Sequence, residues 1–170
     1  STGKVQLGIA HAQMALIAEK GLEPFKQPLS NIRAIAMIDP EAAVQILATE
    51  SSGITNLADI KAKKMPVRVS LNQRGTLMAI TGEAVLAAYG VTVKDIESWG
   101  GRVSYEAYNA GLDLMKNGQA DLIINMLAFP ARQVANAARD TKFRMIGLND
   151  EAIKKLNAGL GTQTITVSAK

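Results

Sequence analysis

Between Ala43 and Val167 short apolar runs alternate with helical stretches, and that alternation limits the fold more than any other feature of the chain. Ala43–Thr49 reads as a buried strand, Gly53-Ile54 opens a short helix at Asn56–Ile60, and Val67–Leu71 alternates apolar and polar residues as a half-buried strand does. A helix from about Thr76 to Tyr89 stops at Gly90. Further on, Ser104 is placed to cap a helix whose Tyr105, Tyr108, Leu112 and Met115 share a face, with Gly118 ending it. Asp121–Met126 is an apolar run suited to the middle of a sheet, and Pro130 suits the first turn of a helix. Phe143–Leu148 reads as a strand, Asp150 as the cap of a helix through Leu156, and Thr162–Val167 as a last strand. Strands separated by helices of roughly ten residues predict an α/β protein with a parallel-rich sheet and helices on both faces.

Before Ala43 the pattern is looser. Val5–Ile9 has strand character, His11–Lys20 has helical spacing closed by Gly21, Leu22–Ser30 with its two prolines is loop, and Ile32–Ile38 is an apolar run fit for a strand, broken by Asp39-Pro40. A chain of 170 residues, 48% hydrophobic and 20% charged, has enough apolar material for one or two modest cores. Its formal charge of +4 is spread in singles and short clusters such as Lys61, Lys63 and Lys64, without aromatic interleaving, so nucleic acid is not an expected partner. The absence of cysteine removes thiol catalysis, thiolate metal sites and disulfides. No stretch approaches the roughly 20 apolar residues of a membrane span. No signal peptide is present, and both termini are abrupt, as expected of an excerpt from a longer protein.

The segment with most chemistry is the bend Asn72-Gln73-Arg74-Gly75-Thr76 between the strand at Val67–Leu71 and the helix after it. It lacks the spacing of a phosphate loop and the three glycines of a dinucleotide loop. It offers a helix N-terminus, the capping hydroxyl of Thr76, Gly75 for close backbone approach, and the Arg74 guanidinium, which forks onto carboxylates. A small anion fits that set; a loop that only caps its helix fits it too. The single histidine, His11, has no carboxylate or serine placed beside it by a known motif, and no metal constellation, acid/base pair or cofactor motif emerges. An enzyme is therefore not expected.

Four stretches carry a family resemblance: GKVQLGIAHAQMALIAEKG, PFKQPLSNIRAIAMI, SSGITNLADIKAKKMPVRVSLNQRGT and GLDLMKNGQADLIINMLAFPARQV. In this order they resemble the TAXI family of solute receptors of tripartite ATP-independent periplasmic (TRAP) transporters. The GI…LADIK…V run is shared by many type II periplasmic binding proteins, and Asn117-Gly118-Gln119-Ala120-Asp121 is similar to the family's Asp-Gly-Gln-x-Asp turn. The resemblance implies two α/β lobes with ligand held between them. Residues 1–42 would be the end of the first-lobe portion and the first crossing segment, 43–160 the second lobe, and 161–170 the return crossing strand, with Asp39-Pro40 near a hinge.

It also implies ligand contacts at Asn72, Gln73, Arg74, Gly75 and Thr76, at Phe129 and Pro130 in the loop Leu127–Pro130, and at His11 and Gln13 beside Ala12. The implied function is an extracytoplasmic or periplasmic receptor, exported by a signal sequence outside these residues, that delivers an amino acid or other small carboxylate to TRAP membrane subunits. Where the family has a Gly-Ser-Gly-Thr type of loop this chain has Gln73-Arg74-Gly75-Thr76, and where serine is common it has Ala12. An ABC-type binding protein or the effector domain of a transcriptional regulator would share the architecture. Such an excerpt is expected to fold, and to bind its ligand more weakly than a two-walled cleft does.

Overall fold

The computed structural model describes residues 6–37, 42–162, 164 and 166. The chain divides into two compact units, Ser1–Ile38 and Asp39–Lys170.

Among the described residues of the first unit one helix forms, α1 at Ala12–Lys20. Its end is set by Gly21, whose φ of 64° places it in the left-handed region while Leu22 N–H returns to the Ile17 carbonyl at 3.0 Å. A Cβ on Gly21 would also lie 2.5 Å from the Pro28 nitrogen, because the proline-containing loop folds back over the helix end and Leu29 N–H bonds the Ala18 carbonyl at 2.9 Å. The strands expected at Val5–Ile9 and Ile32–Ile38 are not formed by their described residues, Gln6–Ile9 and Ile32–Met37. An apolar run becomes a strand only when a neighbour takes up its N–H and C=O groups, and among the described residues none does. Ile9, Ile35 and Met37 stay exposed. Asp39-Pro40, the expected hinge, lies outside the described residues.

The second unit is a five-stranded sheet in the order β3-β2-β4-β1-β5, made of β1 Ala42–Thr49, β2 Arg68–Leu71, β3 Arg102–Tyr105, β4 Leu122–Ala128 and β5 Phe143–Met145. Strands β3, β2 and β4 are mutually parallel, while β1 runs against both β4 and β5. Four strands therefore share one direction, and the parallel-rich α/β expectation holds with β1 as the reversed member. The helices are α2 Ala58–Ala62, α3 Leu77–Ala88, α4 Val93–Ser98, α5 Tyr108–Lys116, α6 Arg132–Ala137 and α7 Asp150–Leu160.

Strand alternation assigns the two faces. Ile46 and Ala48 of β1, Val69 and Leu71 of β2, and Leu122 and Ile124 of β4 pack with Val85 and Leu86 of α3 and Leu156 of α7 in the larger core. Leu47 and Ile123, one residue out of phase, pack with Leu112 and Met115 of α5 and, less deeply, Val134 and Ala137 of α6. Burying both faces explains why β1 and β4 read as continuous apolar runs.

Three boundaries differ from expectation. Ser104 does not cap a helix: it lies in β3, its hydroxyl donating to the Val69 carbonyl at 3.3 Å, and α5 starts only at Tyr108. Tyr105 fits the helical spacing of Tyr108, Leu112 and Met115, but its backbone is taken by pairing opposite Leu71. Pro130 precedes the N-cap Ala131 instead of sitting in the first turn, and Asn149 rather than Asp150 caps α7, accepting from Ala152 N–H at 2.8 Å. Of the expected last strand, Thr162, Thr164 and Thr166 are described and lie outside any strand.

Candidate functional site

The chain leaves β2 at Leu71 and turns at once, because Asn72 bonds the backbone locally instead of continuing the ladder. Its buried side-chain oxygen accepts Gln73 N–H at 2.7 Å, and its amide nitrogen donates to Asn125 Oδ1 at 3.3 Å. The Gln73 carbonyl accepts both Thr76 N–H, at 3.2 Å, and Thr76 Oγ1–H, at 2.7 Å. Gly75, at φ 80°, makes that closure possible; open space surrounds its Cα, so a backbone conformation and not crowding calls for glycine. Thr76 Oγ1 then accepts Ala79 N–H at 3.2 Å as the N-cap of α3.

What the turn leaves unused is its chemistry. Among the described residues the backbone N–H groups of Arg74, Gly75, Leu77 and Met78 have no partner, and they sit at the positive end of a 12-residue helix. The Arg74 guanidinium makes no ion pair or hydrogen bond among those residues. It lies over the ring of Tyr105, 3.6 Å from the centroid. The Tyr105 hydroxyl donates to Glu83 Oε1 of α3 at 2.5 Å. Burial, and then the Glu83 carboxylate, push the Tyr105 phenol up to about 12, with Arg74 opposing them.

Behind the turn a polar row crosses the sheet. Gln45 of β1 is the register partner of Asn125 of β4, and Asn125 in turn meets Asn72 at the end of β2. Gln45, 2% exposed, donates to the carbonyls of Ala128 at 3.1 Å and Leu127 at 3.4 Å, and so braces the end of β4 that leads to Phe129 and Pro130. Its Oε1 is buried without a partner among the described residues, as is the Tyr108 hydroxyl at the start of α5, which burial pushes up to about 12.

Asn72–Thr76 and Phe129–Pro130 thus follow the same end of parallel neighbours β2 and β4, whereas Leu127 and Ala128, expected in the loop, are the last residues of β4, held there by pairing with Ala43 and Ala42. His11 and Gln13 belong to the first unit, where His11 is the N-cap of α1 without a side-chain capping bond and Gln13 lies in its first turn. The reading of the sequence missed Gln45, Glu83, Tyr105 as a partner of Arg74, and Asn125. Two of these did carry a signal: Gln45 and Asn125 each interrupt an apolar run in the middle of a strand. Among the described residues no three His, Cys, Asp or Glu side chains gather to hold a metal ion, and no helix is long and apolar enough to cross a membrane.

Residues 1–169 match the NMT1-like family. Similar solved structures include a binding protein component of an ABC phosphonate transporter from Pseudomonas aeruginosa, at 15% identity over 71% of this chain and 45% of that one, with a TM-score of 0.45. The MotA protein of A. tumefaciens B6, solved with glucopine, is 19% identical over 62% of this chain and 39% of its own, with a TM-score of 0.40. The unliganded L-cystine solute receptor of Neisseria gonorrhoeae is 18% identical over 71% and 49%, with a TM-score of 0.37. This chain spans less than half the length of each, and none of their ligands is carried over to it.

Proposed function

The chain belongs to the NMT1-like family, and from that premise we propose that it supplies one lobe of an extracytoplasmic solute receptor that binds a small organic anion, without catalysing a reaction on it. The observation that carries this reading is the turn Asn72–Thr76. It places at the N-terminus of α3 the Arg74 guanidinium and four backbone N–H groups that have no partner among the described residues. A receptor must hold a desolvated carboxylate without a covalent or metal bond, and helix N–H groups with a guanidinium supply that compensation. Phe129 and Pro130, at the same end of the sheet, form the second ligand loop in this reading. The resemblance further implies ligand contacts at His11 and Gln13, and makes residues 1–42 the end of the first-lobe portion and first crossing segment and residues 161–170 the return crossing strand. The donor set calls for a small anion; the narrower class, an amino acid or other small carboxylate, is what the TAXI resemblance implies.

The finer assignment, a TAXI receptor delivering to TRAP membrane subunits, rests on the Pro-Phe-Lys loop, the GI…LADIK run and the turn Asn117–Asp121. Delivery to an ABC-type permease is the second reading, since the same donors serve either partner. Uptake driven by an ion gradient supports the first, and uptake that stops when ATP is withdrawn supports the second.

Calorimetric titration with a panel of amino acids and dicarboxylates tests the binding claim. Arg74→Ala is expected to weaken the tightest of them by about tenfold or more, the cost of a lost charge-assisted hydrogen bond of about 1.5–3 kcal/mol. The melting temperature should stay nearly unchanged, because Arg74 packs into no core. Unchanged affinity would leave the turn as a helix cap only.

A further inference from the structure

Arg74 is exposed on a turn, where an arginine free to sample its rotamers gives up on the order of 2 kcal/mol of conformational entropy when a ligand fixes it. Here its position is already restricted. Tyr105 is the last residue of β3 and stands opposite Leu71, the last residue of β2, so sheet register brings its ring beside the start of the turn. The ring reaches toward α3, where Glu83 accepts the phenol proton at 2.5 Å. Arg74 rests over the ring at 3.6 Å. We propose that Tyr105, anchored by Glu83, is the positioning residue for Arg74, fixing the guanidinium beside the N-terminus of α3 before an anion arrives.

The arrangement rests on the anion-binding reading above and adds its means of selectivity. A cation over a ring is held by the electrons of the ring face, and its N–H groups remain available to a carboxylate. Glu83 is the nearest carboxylate to this assembly that the contacts reveal, and it is engaged at the phenol oxygen, without an ion pair to Arg74. By accepting the phenol proton it also enriches the oxygen and ring in electron density. A negative residue on α3 therefore strengthens the hold on the cation without occupying it. Direct pairing of Arg74 with Glu83 would instead consume the charge the ligand needs.

NMR of the protein and three variants tests this with two independent readouts. In the ligand-free protein the Arg74 δ-methylene and Nε–H resonances are expected to be shifted upfield by the Tyr105 ring. Tyr105→Leu should remove that shift, and Tyr105→Phe, which keeps the ring, should retain most of it. Sodium acetate then serves as the anion probe, followed at the Leu77 and Met78 amides. Arg74→Ala should abolish the saturable response, and Tyr105→Leu should weaken it about three- to fivefold, the size of an exposed cation–π contact. Arg74 resonances without an upfield shift in the wild type, or acetate affinity equal in Tyr105→Leu and wild type, would overturn the proposal. Should Tyr105→Leu fail to fold, the wild-type shift and its retention in Tyr105→Phe still decide it. If acetate leaves the wild-type amides untouched, the anion-binding reading fails, while the ring shifts judge the Tyr105–Arg74 contact separately.

Discussion

Two arginines at opposite ends of β2 are used in opposite ways. Arg68, at the start of the strand, is fully engaged: its guanidinium donates to Asp121 at 2.9 and 2.5 Å and to the Gly118 carbonyl, while Asp121 Oδ2 also accepts the Arg68 backbone N–H at 2.8 Å. Asp121 N–H returns to the Arg68 carbonyl at 2.8 Å. This clamp pins the turn Asn117–Asp121 to the start of β2 and gives that motif a structural reason to end in aspartate. Arg74, just past the other end of the strand, meets a ring instead of a carboxylate. The same side chain is thus a rivet where its charge is matched and, in the proposed reading, a receptor group where its charge is left over. Along β2 the matched charge lies where the strand begins and the unmatched one just past its end.

The contrast is broken most forcefully at the clamp. Asp121→Ala removes the carboxylate from the Arg68 guanidinium and backbone N–H together, and should cost about 2 kcal/mol; Arg68 is nearly half exposed, so solvent screening keeps the loss below that of a buried pair. For a chain of this size that lowers the melting temperature by about 4–8 °C, whereas Arg74→Ala should move it hardly at all. Equal losses at both arginines would erase the distinction.

Acid sharpens the same comparison. Burial by itself would raise the Asp121 carboxyl, but the hydrogen bonds and charge of Arg68 outweigh it and hold the group below its ordinary value. The unfolded chain then binds the proton more tightly than the folded one, so the clamp's contribution is complete above the unfolded value of about 3.9 and fades as pH falls through the lower folded value. Denaturant titrations from pH 6 down to 2 should show that loss in the wild type and a shallower one in Asp121→Asn.

The smallest expected effect lies at the open end. Glu83→Gln should bring the Tyr105 phenol from about 12 part of the way back toward its ordinary value. Burial is the larger cause and remains after the substitution. Alkaline titration of the tyrosine ring carbons reads this directly, and no change would mean that Glu83 does not anchor the ring.

Periodicity by itself determined the second unit's class and most of its elements, because a strand buried on both faces and a helix with a capping threonine leave local traces, as at Leu122–Met126 and Thr76. It also marked Asn72–Thr76 as a polar, glycine-bearing bend between strand and helix, a pattern that a small-anion site and a plain helix cap share. It did not determine which runs find a partner: Ile32–Met37 looks as strand-like as Ala43–Thr49, yet among the described residues only the latter has neighbours to complete its hydrogen bonds. Nor did it place Tyr105, whose spacing is helical and whose backbone is claimed by β2. The Arg74–Tyr105–Glu83 assembly joins residues from a turn, a strand end and a helix. Only sheet register brings them together, and register is decided by pairing between distant segments, which local sequence cannot encode.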